Sequence, residues 1–359
     1  MQESEESLAP GEYRLTTTYL NTASHGLLPA RAVAAAQAML AQLNEGTVEV
    51  ADGFRSIRAA RESFARLAGV GPERVAIGGS VAGHAALIAG SLQPGSEVLC
   101  PDTEFSSLVT PFAQRPGLRL RTVPPAGLAE AVGPDTALVA VSAVQSLDGR
   151  VADLPAIHEA AGRHGARLLV DLTQALGWLP LSADDFDFTV CAGYKWLLCP
   201  RGTSFLTVPA DGGGLPALHA GWVAGEEPWR STYGPVGELA HTARRYDEDP
   251  TWLCYAAAAE SLALVEELGP AALRAHALGL GDRFRAGLAS LGIEAIPAAS
   301  PIVSVPGAGE AAGALREAGV RVAARGGHLR AAFHLYNTAA DADRALGALA
   351  RAVHASRGA

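Results

Sequence analysis

Short apolar runs alternate with alanine-rich stretches whose apolar positions recur at helical spacing, a texture that predicts βα units around a mainly parallel sheet. Helical spacing covers Arg31–Leu43 and Ser56–Leu67. Arg74–Ile77 reads as a strand that runs through Gly78-Gly79-Ser80 into a helix over Val81–Leu92. Further strands are expected at Glu97–Cys100, Leu118–Val123, Ala137–Val144, Leu168–Asp171, Phe188–Ala192 and Gly202–Val208. Helices fit between them at Leu128–Ala131 and at Leu154–His164, the latter stopped by Gly165. Pro209–Glu238 is turn-rich and carries Gly212-Gly213-Gly214, Trp222 and Trp229. The texture then changes. Two long helices, Trp252–Leu268 and Ala271–Leu291, precede a strand at Pro301–Val305 and a helix at Gly309–Ala318. A strand pair around Val320–Ala323 and His328–Phe333 and a last helix at Ala340–His354 complete the chain. The expectation is an α/β protein: a large domain over residues 16–238, with helices on both sheet faces, and a small α+β domain over 239–359.

Composition changes the picture in a few respects. The chain has 359 residues, 49% of them apolar and 18% charged, which supports a sizeable core and excludes disorder. A net charge of −9 argues against a nucleic-acid or anionic-membrane surface. No apolar run reaches the roughly 18 residues of a membrane span, and the acidic Met1–Pro10 lacks a signal-peptide layout. A soluble, cytoplasmic protein is expected. Cys100, Cys191, Cys199 and Cys254 are too scattered for a disulfide framework or a metal clip, so no metal is expected.

The count that matters most is lysine. Of 28 basic residues one is lysine, Lys195, and the rest are arginines. Under a bias against lysine, arginine can replace it wherever only charge is wanted. It cannot do so where an amine must lose its proton and form a carbon–nitrogen double bond. A sole lysine is thus either a chance survivor at the surface or a Schiff-base nucleophile.

Its setting favours chemistry. Lys195 follows the apolar run Phe188–Ala192, and Asp171 ends the run Leu168-Leu169-Val170. The carboxyl ends of parallel strands form the ligand crevice, so the two would face one cavity. An amine for an aldehyde and a carboxylate for a ring nitrogen suit pyridoxal 5'-phosphate. Gly78-Gly79-Ser80-Val81, strand then helix, offers backbone N–H groups to its phosphate. Two other readings compete. Gly78–Ala82 approximates the nucleophile elbow of a serine hydrolase, with Ser80 as nucleophile, but has Ala where the second glycine belongs and leaves Lys195 unexplained. Gly307-Ala308-Gly309 and Gly313 have the wrong spacing for a dinucleotide fingerprint.

These residues resemble class V aminotransferase-fold enzymes, a group that includes cysteine desulfurases, kynureninase, isopenicillin-epimerase-like proteins and carbon–sulfur lyases. The resemblance runs through Tyr19-Leu20-Asn21-Thr22-Ala23, Val170–Ala175, Ala192-Gly193-Tyr194-Lys195-Trp196 with Pro200-Arg201-Gly202, and Arg330–Thr338. It implies the type I fold of pyridoxal-phosphate enzymes and a homodimer, with the arm of residues 1–15 near the small domain or the dimer partner. It also implies roles: Lys195 bonded to the cofactor and moving the substrate's α-proton, Asp171 on the ring nitrogen, Gln174 on the ring hydroxyl oxygen. Phe105 falls where the family stacks a ring on the cofactor, and Ser146 where many members carry an asparagine. Ser80 and the Val81 amide would hold phosphate, helped by the Tyr194 hydroxyl. Arg330 would bind the substrate carboxylate, with His25 at the substrate pocket.

Departures refine the expectation. Ala192 stands where a phosphate-binding serine is common, and Asp247-Glu248-Asp249-Pro250-Thr251 stands where the partner subunit usually supplies a phosphate contact, leaving Thr251 as substitute. No cysteine follows Cys254, so the mobile persulfide cysteine of desulfurases is missing, and Phe105 replaces their stacking histidine. The expected activity is a carbon–sulfur lyase working by β-elimination on an amino acid. Aminotransferase and epimerase are the alternatives within the family, and a non-catalytic cofactor-binding protein is a distant one.

Overall fold

The computed structural model describes residues 6–357; the first five residues of the N-terminal arm lie outside the described residues. The large sheet has seven strands in the order β2-β8-β7-β6-β5-β3-β4. They are β2 (Val75–Gly78), β3 (Glu97–Pro101), β4 (Arg119–Val123), β5 (Thr136–Ser142), β6 (Arg167–Asp171), β7 (Phe188–Ala192) and β8 (Ser204–Thr207). The pairs β3–β4, β3–β5, β5–β6 and β6–β7 are parallel. β8 is antiparallel to both β7 and β2, so it reverses between two strands that run the same way. β2, β3, β7 and β8 are buried throughout, as expected for strands covered on either face, while the edge strand β4 is part-exposed.

Helices α1 (Ala30–Glu45), α2 (Val50–Ala68), α3 (Val81–Ser91), α4 (Ser106–Ala113), α5 (Leu128–Ala131) and α6 (Leu154–His164) precede or connect these strands. α6 begins where Asp153 accepts from the Ala156 N–H and ends on Gly165 at φ 67°, a left-handed stop that glycine adopts without strain. α2 starts a turn and a half before the residues whose periodicity announces it. Gly53, in its first turns, breaks the pattern because it lies against the Trp252 indole, where a Cβ would come within 2.9 Å. α4 lies in a stretch for which the sequence pattern named no element: it forms with Pro111 inside it and buries Leu108 and Phe112.

The C-terminal part holds α7 (Trp252–Leu268), α8 (Pro270–Ser290), β9 (Ile302–Val305), α9 (Ala311–Glu317), β10 (Val320–Arg321), β11 (Ala323–Arg325), β12 (His328–Ala332) and α10 (Ala339–Arg357). β11, β12 and β9 form an antiparallel sheet that puts Ala323 opposite Arg330 and Arg325 opposite His328. The chain start joins this part: β1 (Thr18–Tyr19) pairs with β10, Asn21 bridges to Ala332, and Leu8 N donates to Leu335 O at 2.8 Å. α7 packs on α1 and α2, and its Tyr255, Leu262 and Val265 lie in the core under the large sheet. Among the described residues no helix is long and apolar enough to cross a membrane.

Candidate active site

Ser142, Asp171 and Ala192 end β5, β6 and β7, and Gly78 ends β2 just before α3. Between these ends lies a cavity of about 260 Å³. Its lining includes Ser80, Val81, Phe105, Ser146, Asp171, Gln174, Tyr194 and Lys195. The predicted pair meets: Asp171 and Lys195 are each 4% exposed and share the cavity wall. Burial pulls the Lys195 ammonium down to about 8 from its usual 10.5, Asp171 opposing and Arg330 and Arg201 reinforcing the shift. Burial likewise pushes the Asp171 carboxyl up to about 6, against the hydrogen bonds from Thr173 and the charge of Lys195. Asp171 Oδ1 accepts from the Thr173 N–H at 2.8 Å, and Thr173 Oγ1 accepts from the Ala192 N–H at 2.9 Å, tying the acid's loop to the end of β7.

The lysine turn is clamped from the opposite side. Gly26 N donates to Tyr194 O at 2.9 Å. A Cβ on Gly26 would stand 2.0 Å from the Lys195 carbonyl oxygen, so only glycine fits there. Three residues on, Leu198 holds φ 58°, the left-handed region that costs a residue with a Cβ roughly 1–2 kcal/mol. The buried Ser261 hydroxyl donates to its carbonyl at 2.8 Å and helps to fix the turn. Gly26→Ala is therefore expected to displace the lysine turn. Overpacking of this kind costs about 1–3 kcal/mol, read as a lower melting temperature with cofactor affinity lost in step; an unchanged affinity would show that the turn tolerates the shift.

The other expected residues fall at different distances from the chemistry. Phe105 is 39% exposed rather than core, and its ring centroid is 4.9 Å from Lys195 Nζ. Glu104, which no sequence motif singles out, holds that loop: its carboxylate accepts from Ser142 N (2.8 Å), Ser142 Oγ (2.6 Å), Gln145 Nε2 (3.0 Å) and Phe105 N (2.7 Å). Ser80 caps α3, its Oγ accepting from Gly83 N, which leaves the hydroxyl hydrogen free to donate into the cavity. Val81 opens the first turn, where N–H groups have no partner within the helix. Tyr194 carries the Arg201 guanidinium 4.2 Å over its ring.

Gln174 is already fully engaged. Its amide donates to Ala23 O (2.8 Å) and Ser146 Oγ (3.1 Å), and its Oε1 accepts from Trp196 Nε1 (2.7 Å). Ser146 links it to Arg330, whose Nη1 donates to both the Ser146 carbonyl and its hydroxyl. Arg330 Nη2 donates to Ser24 Oγ at 2.8 Å. This guanidinium is 2% exposed, its Nε has no partner, and no carboxylate among the described residues pairs with it. A buried, uncompensated cation costs several kcal/mol, so an anion meeting this guanidinium would be favoured.

Three of the expected residues stand outside the cavity lining: Arg330, which Ser146 joins to it, Thr251 and His25. Thr251 donates weakly to Gly202 O at 3.4 Å, and it is Glu248 of the same segment that reaches α3, accepting from Gly79 N at 2.8 Å. His25 stacks against Tyr194 with ring centroids 6.0 Å apart; its Nδ1 is buried without a partner, and burial and Arg201 lower its pKa. Three neighbours of the site have structural partners. His334 is pinned between Trp196 O and Leu335 N, Tyr336 bonds Thr22, and Cys199 is a buried thiol on Leu197 O.

The donor set fits pyridoxal phosphate: one buried amine, one buried carboxylate, an aromatic side chain and a helix N-terminus around a single cavity. Comparison with known proteins agrees. The family model described as aminotransferase class-V matches residues 18–345, and the chain belongs to that family of pyridoxal-phosphate enzymes. It is 33% identical over 305 residues to isopenicillin N epimerase of Streptomyces clavuligerus, covering 75% of this chain and 74% of that one. A kynureninase of Xanthomonas axonopodis pv. citri is 34% identical over 163 residues, 43% of this chain and 38% of that one. Among solved structures, the cystine C-S lyase C-DES in complex with cysteine persulfide superposes with a TM-score of 0.83 at 26% identity, over 93% of this chain and 97% of that one.

Proposed function

We propose that the protein is a carbon–sulfur lyase that removes the α-proton of a sulfur-bearing amino acid and releases a thiol from its β-carbon. The observation that carries this reading is the chain's sole lysine, buried beside Asp171 with its amine drawn toward about 8, in a cavity that no cysteine lines. Elimination needs one base near neutrality and no persulfide-forming thiol. Pyridoxal phosphate, when bound, supplies an aldehyde for amines and a cationic ring that accepts the electrons released on proton loss.

The chain's own residues do the rest. Lys195 would hold the cofactor's aldehyde carbon, and its free amine would take the proton from the substrate α-carbon. Asp171 would keep a proton on the ring nitrogen. Ser80 Oγ and the Val81 N–H would hold the phosphate, with the Tyr194 hydroxyl as a further contact; Thr251, outside the cavity lining of its own chain, would reach a phosphate only across a dimer. Phe105 would lie against the ring. Gln174 would set the ring oxygen's surroundings through the Ser146 hydroxyl it donates to, and Ser146 would hold Arg330 toward the substrate carboxylate. Residues 16–238 and 239–359 are the two domains of this reading, and the working unit is a cytoplasmic homodimer.

Epimerisation is the second reading, favoured by the isopenicillin N epimerase relative and by the unpartnered His25 beside Tyr194, a group able to return a proton from another direction. One assay separates them. Holo-protein in deuterated water with S-alkylcysteines and no keto acid should yield pyruvate, ammonia and thiol. The enantiomer of the substrate, deuterated at the α-carbon and without pyruvate, would replace elimination by epimerisation. Keto-acid-dependent turnover would mean transamination, and no turnover under any condition a binding protein. In the same assay Arg330→Gln is expected to raise KM about 10–100-fold, the worth of a charge-assisted carboxylate contact. The cofactor's visible absorption should stay intact; an unchanged KM would remove Arg330 from substrate binding.

A further inference from the structure

Arg330 is one of two arginines at the same hydroxyl. Arg325 and Arg330 lie on one face of the β11–β12 hairpin, because Ala323 pairs with Arg330 and Arg325 with His328. Ser24 Oγ accepts from Arg330 Nη2 at 2.8 Å and from Arg325 Nη2 at 3.4 Å. Neither guanidinium has a carboxylate partner among the described residues, and the charge that acts most on Arg330 is that of Arg325. Two cations bridged by one neutral hydroxyl repel each other. An anion at each removes the repulsion.

One carboxylate saturates the buried Arg330 fork. Arg325 is exposed beside the turn Gly326-Gly327 whereas Arg330 is buried, and the two meet at Ser24, so a substrate that Arg330 held and that extended past Ser24 toward solvent would meet Arg325. Elsewhere many arginines have their acid: Arg61 pairs with Asp247, Arg31 with Glu12 and Glu267, Arg283 with Asp343. Arg325 has Ser24 alone among the described residues.

We propose that Arg325 binds a second anionic group on the substrate, so that the protein selects amino acids carrying a distal carboxylate. This rests on the assignment of Arg330 to the α-carboxylate. It adds a substrate class to the proposed function and makes Arg325 a specificity residue rather than a catalytic one.

The test uses an isosteric pair, S-carboxymethylcysteine and S-carbamoylmethylcysteine, which differ only in the distal charge. Binding is measured by calorimetry on cofactor-loaded Lys195→Ala protein, which cannot turn the ligands over, with and without Arg325→Gln. The Arg325 form should prefer the carboxylate about tenfold, a preference that weakens with salt. Arg325→Gln should abolish it while leaving the amide's affinity and the melting temperature unchanged. Equal binding of the two ligands, or a preference that survives Arg325→Gln, overturns the proposal. An equal loss for both ligands would show that Arg325 serves the α-carboxylate, and would overturn it too. If wild-type holo-protein shows no spectral response to either ligand, the amino-acid-enzyme reading fails first, and the Arg325 reading falls with it.

Discussion

Lys195→Ala protein mixed with pyridoxal phosphate is expected to lack the protein-linked visible band that wild type gains, and to lose turnover on the order of 10³-fold or more. The size of the effect follows from the absence of a substitute. The chain has no second lysine, and a guanidinium is too basic to bond covalently to an aldehyde at neutral pH. Lys195→Arg should therefore fail as completely as Lys195→Ala although it keeps the charge, which separates nucleophile from counter-ion. Borohydride should bleach the wild-type band and leave the cofactor attached to the peptide containing Lys195. Burial makes the result specific, because an amine drawn to about 8 has far more free base at neutral pH than a solvated one at 10.5. Attachment at the N-terminal amine, or the full band in Lys195→Ala, would refute the assignment.

That this amine mattered was legible without coordinates, because composition isolated it and the end of an apolar strand placed it. Regular elements were legible for the same kind of reason. Phe188–Ala192 and Leu154–His164 are bounded as their patterns predict, the first by continuous burial, the second by an aspartate cap and a glycine stop. What escaped depends on partners distant in sequence. β8 runs against its neighbours, and nothing in Ser204–Thr207 encodes direction. α4 tolerates Pro111 because Leu108 and Phe112 pack into the sheet, and tertiary burial overrides the propensity. Glu104 and Ser24 look like ordinary polar loop residues. They matter because folding brings Ser142 within 2.6 Å of the first and Arg330 within 2.8 Å of the second.

Asp171 supplies the other large effect, and its sign reverses between the empty and the loaded protein. Its carboxyl is raised from 3.8 to about 6, mainly by burial. A folded-state pKa above the unfolded one favours the protonated form. No stability is lost below pH 4. The penalty grows from pH 4 to pH 6 and is fully present above, with each tenfold weakening of the acid costing about 1.4 kcal/mol. Cofactor-free Asp171→Asn should therefore melt above wild type at pH 8 by the equivalent of about 2–3 kcal/mol, with the gap closing below pH 4. Losing the counter-ion of Lys195 does not cancel this, because an amine near 8 is readily neutralised at that pH. With cofactor bound the order should invert. A cation on the ring nitrogen compensates the buried carboxylate, so pyridoxal phosphate should stabilise wild type strongly and Asp171→Asn weakly at pH 8. Turnover should fall by about 10²–10⁴-fold in the variant, because an amide cannot keep that nitrogen protonated. Paired melting curves at pH 4 and pH 8, with and without cofactor, decide the matter. An Asp171→Asn protein that is the less stable of the two when empty at pH 8, or equally stabilised by cofactor, would mean that Asp171 braces the end of β6 and does not meet the ring.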